Sequence, residues 1–158
     1  MKSSKLIILA FLTITHITIK SQSYNNIDID NQIKQAKNYT SEDPTRAQQI
    51  AKKAISNSKV ANTPKSLTEA YLTYAESNIN FNLFDDAKIY IDSAVTISTN
   101  KNLNEQKIHC LILSSKLNYK KGDKKLYLSN ISEAISLAKK TKLLDEEVYI
   151  EILIGDFL

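Results

Sequence analysis

The sequence predicts an all-α fold: antiparallel helix pairs stacked side by side at a period of about forty residues, behind an N-terminal signal segment. Three observations carry the prediction. Past residue 27, apolar residues recur at spacings of three and four, which places them on one face of an α-helix. Glycine and proline, two of each in 158 residues, are too few for the turns of an all-β chain. Shifting the chain against itself by forty residues lays Ala54 on Ala94 and Ala134, Ala51 on Ile91 and Ile131, and Ile55 on Val95 and Ile135. Self-similarity at such a period indicates a stacked helical repeat.

Residues 1–23 read as a secretory signal. Residues 1–5 form a basic head, residues 6–19 a mainly apolar run, and Ser21 and Ser23 supply small side chains at alternate positions. As a helix the run reaches about 21 Å, short of the roughly 30 Å hydrocarbon core of a bilayer. The favoured cut follows Ser23, with Ser21 next; a retained anchor and a buried strand are the competing readings. Export to a periplasmic or other extracytoplasmic space is expected.

The remainder, 24–158, reads as one domain with repeats at about 27–62, 64–102 and 103–142, and a partial fourth at 143–158. Ile29, Ile33, Ala36 and Tyr39 mark the first helix; Ala47, Ile50, Ala51, Ala54 and Ile55 mark the second. Leu67, Tyr71, Tyr74, Ala75 and Ile79 mark the third, and Ala87, Ile91, Ala94 and Val95 the fourth. Leu111, Ser115 and Tyr119 belong to the fifth, and Tyr127, Ile131, Ala134, Ile135 and Ala138 to the sixth. Asp43 before Pro44, and Thr63 before Pro64, suit an N-cap followed by proline in the first turn. Residues 80–85, 100–104 and Lys121-Gly122-Asp123 are the turn signals between helices. Small residues at one repeat position (Ala75, Ser115, Gly155) let helix axes approach closely. Residues 148–155 match the first helix of a fourth pair and are strongly apolar. The expectation is an N-terminal piece of a longer protein, or a helix that pairs with another subunit.

Chemistry is sparse. The formal charge of +4 rests largely on Lys2, Lys5 and Lys20 in the signal, and Arg46 is the sole arginine, so this stretch does not read as a nucleic-acid surface. The lone Cys110 lies in an apolar stretch and reads as a small buried hydrophobe. His109 is the single histidine after the signal, and two glycines leave no phosphate loop. Asp85-Asp86 and Asp145-Glu146-Glu147 fall at expected helix starts, where carboxylates favour the helix dipole. The lysine clusters around 120–125 and 139–142 read as solvated helix ends. No catalytic residue, cofactor or metal is expected.

Residues 68–101 resemble a tetratricopeptide repeat. Ala75 is the small residue of the first helix, Phe84 the aromatic after the turn, and Ala87, Ile91 and Ala94 follow at spacings of four and three. Lys121-Gly122-Asp123 is similar to the family's Gly-Asp turn. Tyr71 stands for the usual Trp, Asn82-Leu83 for Gly-Asp, and Lys124 for the aromatic after the third turn. The period exceeds the usual 34. The resemblance covers roughly 27–158 and implies a right-handed α-solenoid whose first helices line a concave groove. The groove residues it implies are Glu69, Leu72, Glu76, Ile79 and Asn80, with His109, Ile112, Lys116, Tyr119 and Lys120. With Leu72 and Glu76 where chaperone-binding members place parts of their carboxylate clamp, that specificity is not implied. What is implied is a non-enzymatic protein or peptide binder. The leading reading is the extracytoplasmic sensory or scaffold part of a longer membrane-bound regulator, whose membrane helix would lie downstream. A self-contained periplasmic or surface scaffold for assembly is the alternative, and a helical-bundle ligand carrier or enzyme the second. Self-association through the C-terminal helix is a further expectation.

Overall fold

The computed structural model describes residues 25–143, 145, 146 and 150. The signal expected at 1–23 and most of the partial repeat at 143–158, Gly155 included, lie outside the described residues. Among the described residues the chain is all-helical, without strands, and six helices follow one another. These are α1 (Asn26–Tyr39), α2 (Pro44–Val60), α3 (Pro64–Asn80), α4 (Phe84–Asn100), α5 (Asn104–Lys120) and α6 (Lys124–Thr141). None is long and apolar enough to cross a membrane.

From α2 to α5 each helix has 17 residues. Each is followed by a three-residue turn, so one helix and its turn occupy twenty residues and a pair occupies forty. The turns share one mechanism. Asn62, Asn82, Asn102, Gly122 and Lys142 take positive φ (52°, 59°, 55°, 80° and 58°) at twenty-residue intervals. In each turn the next N–H returns to the carbonyl five residues back, as from Leu83 to Asn78 and from Leu103 to Ser98. The left-handed residue donates to the carbonyl three back, the paired pattern that closes a helix C-terminus. Asn and Gly bear the left-handed backbone at least cost.

Helix starts are less uniform. Asp43 Oδ1 accepts from the Arg46 N–H at 3.0 Å, and Asp123 Oδ1 from the Leu126 N–H at 2.9 Å. Thr63 does not repeat the cap expected of it: its hydroxyl donates backwards to the Ser58 carbonyl, so Pro64 alone suits that start.

Each helix packs on the next in sequence. In addition α1 touches α3 and α3 touches α5, whereas α2, α4 and α6 do not touch one another. α1, α3 and α5 therefore form one row and the even helices sit over it. Three core clusters follow: Ile29, Ile33, Ala51, Ala54 and Tyr74 across α1–α3; Leu72, Ile79, Ile91, Ala94 and Leu113 across α3–α5; Ile108, Tyr127, Ile131, Ala134 and Ile150 beyond. Ala54, Ala94 and Ala134 are each fully buried, one per cluster. Cys110 occupies the repeat position of Ala70 and Ile150, all three buried, which explains a thiol used as a hydrophobe.

Two expected stripes differ from the observed ones. Val95 is 42% exposed, whereas Ile55 is buried. It lies about 100° round the helix from buried Ala94, at the margin of the apolar face. On α5 the buried set is Gln106, Ile108, Cys110, Leu113, Ser115 and Leu117, and Tyr119 is exposed. With α3, α4 and α6 all packed against it, α5 has neighbours on several sides, so a single stripe cannot describe it. α3 makes the same point with Thr73 and Ser77 buried on it. Their hydroxyls donate to carbonyls four residues back at 2.9 and 3.2 Å, so burial leaves neither unsatisfied.

Candidate functional site: the groove over α3 and α5

Because α3 and α5 lie side by side with their repeat positions aligned, residues forty apart meet across the row. Lys65 Nζ donates to Glu105 at 2.8 Å, His109 Nδ1 to Glu69 at 2.6 Å, and Lys116 Nζ to Glu76 at 2.7 Å. Asn80 Nδ2 likewise donates to the Thr40 carbonyl at 2.6 Å, joining the end of α3 to the turn after α1. Positions 65, 69 and 76 fall on one face of α3, so the pairs form rungs along a shared seam.

Beside this seam lies a groove of about 390 Å³. Leu72, Thr73, Ile112 and Leu113 form its floor, with Glu69, Glu76, His109, Lys116, Lys37 and Glu146 among its charged walls. A second recess of about 310 Å³, lined by Asp30, Lys34, Lys65 and Glu105 among others, meets it at Lys37, Glu69 and His109.

Glu69 is the electrostatic centre. Burial alone would raise its pKa, but the hydrogen bond and charge of His109, with those of Lys37, outweigh it and hold the carboxyl down at about 2. Lys37 Nζ approaches to 2.7 Å, and Gln106 Nε2 adds a third donor at 3.3 Å. Burial pushes the His109 pKa down, and hydrogen bonds and charges of Glu69 and Glu146 more than reverse this, so it is raised. Its Nε2 lies 3.2 Å from Glu146 Oε1. Cys110 faces away: burial pushes its thiol up to about 11, and Ser98 is its hydrogen-bonding neighbour at 3.9 Å.

Of the residues expected to face the groove, Glu69, Leu72, Glu76, His109, Ile112 and Lys116 line it. Ile79 does not: it shares the face of Leu72 two turns further along α3 and is fully buried in the α3–α5 core. Asn80 is engaged with Thr40, Tyr119 packs against Tyr127 with ring centroids 5.6 Å apart, and Lys120 is exposed beyond the groove's end. Sequence reasoning missed Lys37, Lys65, Glu105 and Glu146. Lys65 and Glu105 had a readable signal, since the forty-residue shift that superposes alanines also sets one on the other. Lys37 had none, because it meets Glu69 at a separation of 32, outside the repeat. Glu146 had none either, because its place depends on how the chain returns after α6.

No family model matches the chain, and no curated protein or solved structure matches it either.

Proposed function

We propose that this chain is a tetratricopeptide-like α-solenoid that serves as an exported, non-enzymatic protein-interaction module, binding a peptide segment along the groove over α3 and α5. The observation that carries the reading is the groove itself. It has an apolar floor at Leu72 and Ile112 between opposite charges that are already fixed by pairs across the row. Such a surface accepts an apolar side chain of a ligand and orients its flanks by charge. The row of α1, α3 and α5 with the even helices over it supports the solenoid reading. The basic head, apolar run and small residues of 1–23 support export. A place as the sensory or scaffold part of a longer regulator belongs to the same proposal.

Selection of a displayed peptide library on the folded chain tests it. Enriched peptides should lose binding to Ile112→Asp, which reverses the floor, and keep it with Leu128→Asp, whose side chain is 52% exposed on α6. Peptides that bind both variants equally, with helix content unchanged, would remove the groove as the binding surface.

A further inference from the structure

Glu105 and His109 stand four residues apart on α5 and share a face. Glu146, from beyond α6, comes over that same face. A carboxylate oxygen of Glu105, a ring nitrogen of His109 and a carboxylate oxygen of Glu146 lie within 4.8 Å of one another. The imidazole between them is oriented. Its Nδ1 is 2.6 Å from Glu69 Oε1, and an ionised carboxylate only accepts, so Nδ1 carries the hydrogen. In the neutral ring the Nε2 lone pair then points toward Glu146 Oε1 at 3.2 Å. Two acceptors face each other there, and only a proton or a cation reconciles them.

A proton on Nε2 satisfies that single contact. It does nothing for Glu146 Oε2, which is buried and has no hydrogen-bond partner among the described residues. Buried carboxylate oxygens are seldom left so. The geometry points to a site for one divalent transition-metal ion of the zinc type, held by Glu105, His109 and Glu146. One imidazole nitrogen with two carboxylate oxygens is a borderline donor set, suited to Zn²⁺ and short of the six to eight oxygens that Ca²⁺ takes. Water would complete a four-coordinate shell. Lys65 bonds one Glu105 oxygen, Oε2, at 2.8 Å, so a carboxylate has a second oxygen to offer an ion. Glu69 is a positioning residue: a carboxylate on the far ring nitrogen fixes the tautomer and strengthens the imidazole as a ligand. The ion would tie α5 to the chain beyond α6. This inference goes beyond the peptide-binding reading and does not depend on it.

Calorimetric titration of Zn²⁺ into the chelator-treated full chain tests the site, with Co²⁺ absorption in the visible as a second readout. One saturable site is expected, undisplaced by excess Mg²⁺ or Ca²⁺. Glu105→Gln and Glu146→Gln should each weaken it at least about tenfold, and His109→Gln should abolish it. Glu69→Gln should weaken it about 10–100-fold while the stoichiometry stays at one. The Glu105→Gln and Glu146→Gln variants, checked for unchanged helix content, keep the test decisive if His109→Gln does not fold. No saturable binding up to about 0.1 mM, or binding that Glu105→Gln and Glu146→Gln leave unchanged, would overturn the site and leave a proton as the sole bridge.

Discussion

Enlarging Ala94 to leucine should destabilise the fold, and the sign of the effect is the informative part. Ala94 is fully buried where α4 lies over α3 and α5. Leucine adds three carbons. Were there a void beside the methyl group, filling it would stabilise by about 2 kcal/mol, at roughly 0.8 kcal/mol per buried CH₂. Were the seat filled, as close crossing of helices requires, the added atoms would force the axes apart or drive side chains off their rotamers, at about 1–3 kcal/mol. The cluster of Leu72, Ala75, Ile79, Ala87, Ile91 and Leu113 around it leaves the second outcome. Ala54→Leu and Ala134→Leu occupy the equivalent seats and should cost similar amounts. Val95→Leu, one residue from Ala94 but 42% exposed, should change stability by less than about 0.5 kcal/mol. Urea denaturation followed by helical circular dichroism measures all four, and a melting temperature should fall by about 2–4 °C per kcal/mol. Stabilisation by Ala94→Leu, or a cost no larger than that of Val95→Leu, would refute the packing argument.

Three further outcomes follow from particular residues. Lys142→Gly should stabilise and Asn82→Val destabilise, each by about 1 kcal/mol in the same denaturation assay, because both positions hold a left-handed backbone (φ 58° and 59°) that glycine tolerates and a β-branched residue does not. Cys110 should alkylate at pH 8 at least about 100-fold more slowly in the folded chain than in urea, since a pKa raised from 9.0 to about 11 cuts the thiolate fraction by that factor before burial is counted. With chelator present, Glu69 should make stability depend on pH. Its carboxyl is depressed from 4.5 to about 2, so its contribution is complete above about pH 4.5 and is lost as pH falls toward 2. His109, raised above 6.5, contributes below 6.5 and loses its share as pH rises through its folded value. Lys37, Gln106, Glu105 and Glu146 surround the pair. The two shifts describe one ion pair and are counted once, giving at most about 3 kcal/mol. Glu69→Gln should flatten the stability–pH curve between 2 and 4.5, and an unaltered slope would remove Glu69 as its source.

What the sequence made legible was what repeats in one residue type. Ala54, Ala94 and Ala134 advertise their seats because a crossing tolerates little else, and Pro44, Pro64 and Gly122 mark boundaries through backbone restrictions that act locally. The twenty-residue beat of Asn62, Asn82 and Asn102 was equally present but hidden, since asparagine has many uses besides a left-handed turn. α5 was read least well. With α3, α4 and α6 all against it, its buried residues run round the helix and no single spacing describes them. The groove was half legible, because the helix faces follow from period but the charge pairs need two helices in register. The hub of Glu69, His109 and Glu146 joins segments separated by 40 and 37 residues, and nothing local announces it.

The central claim is that α3 and α5 lie side by side in a register of forty residues. Nuclear Overhauser contacts in the isotope-labelled chain measure it directly. Cross-peaks should join the Glu69 side chain to the His109 ring and Glu76 to the Lys116 chain, while one from the Asn80 amide to Thr40 reports the matching register of α1 and α3. Cross-peaks between α3 and α5 displaced from these by more than one helical turn, or confined to helices adjacent in sequence, would contradict it.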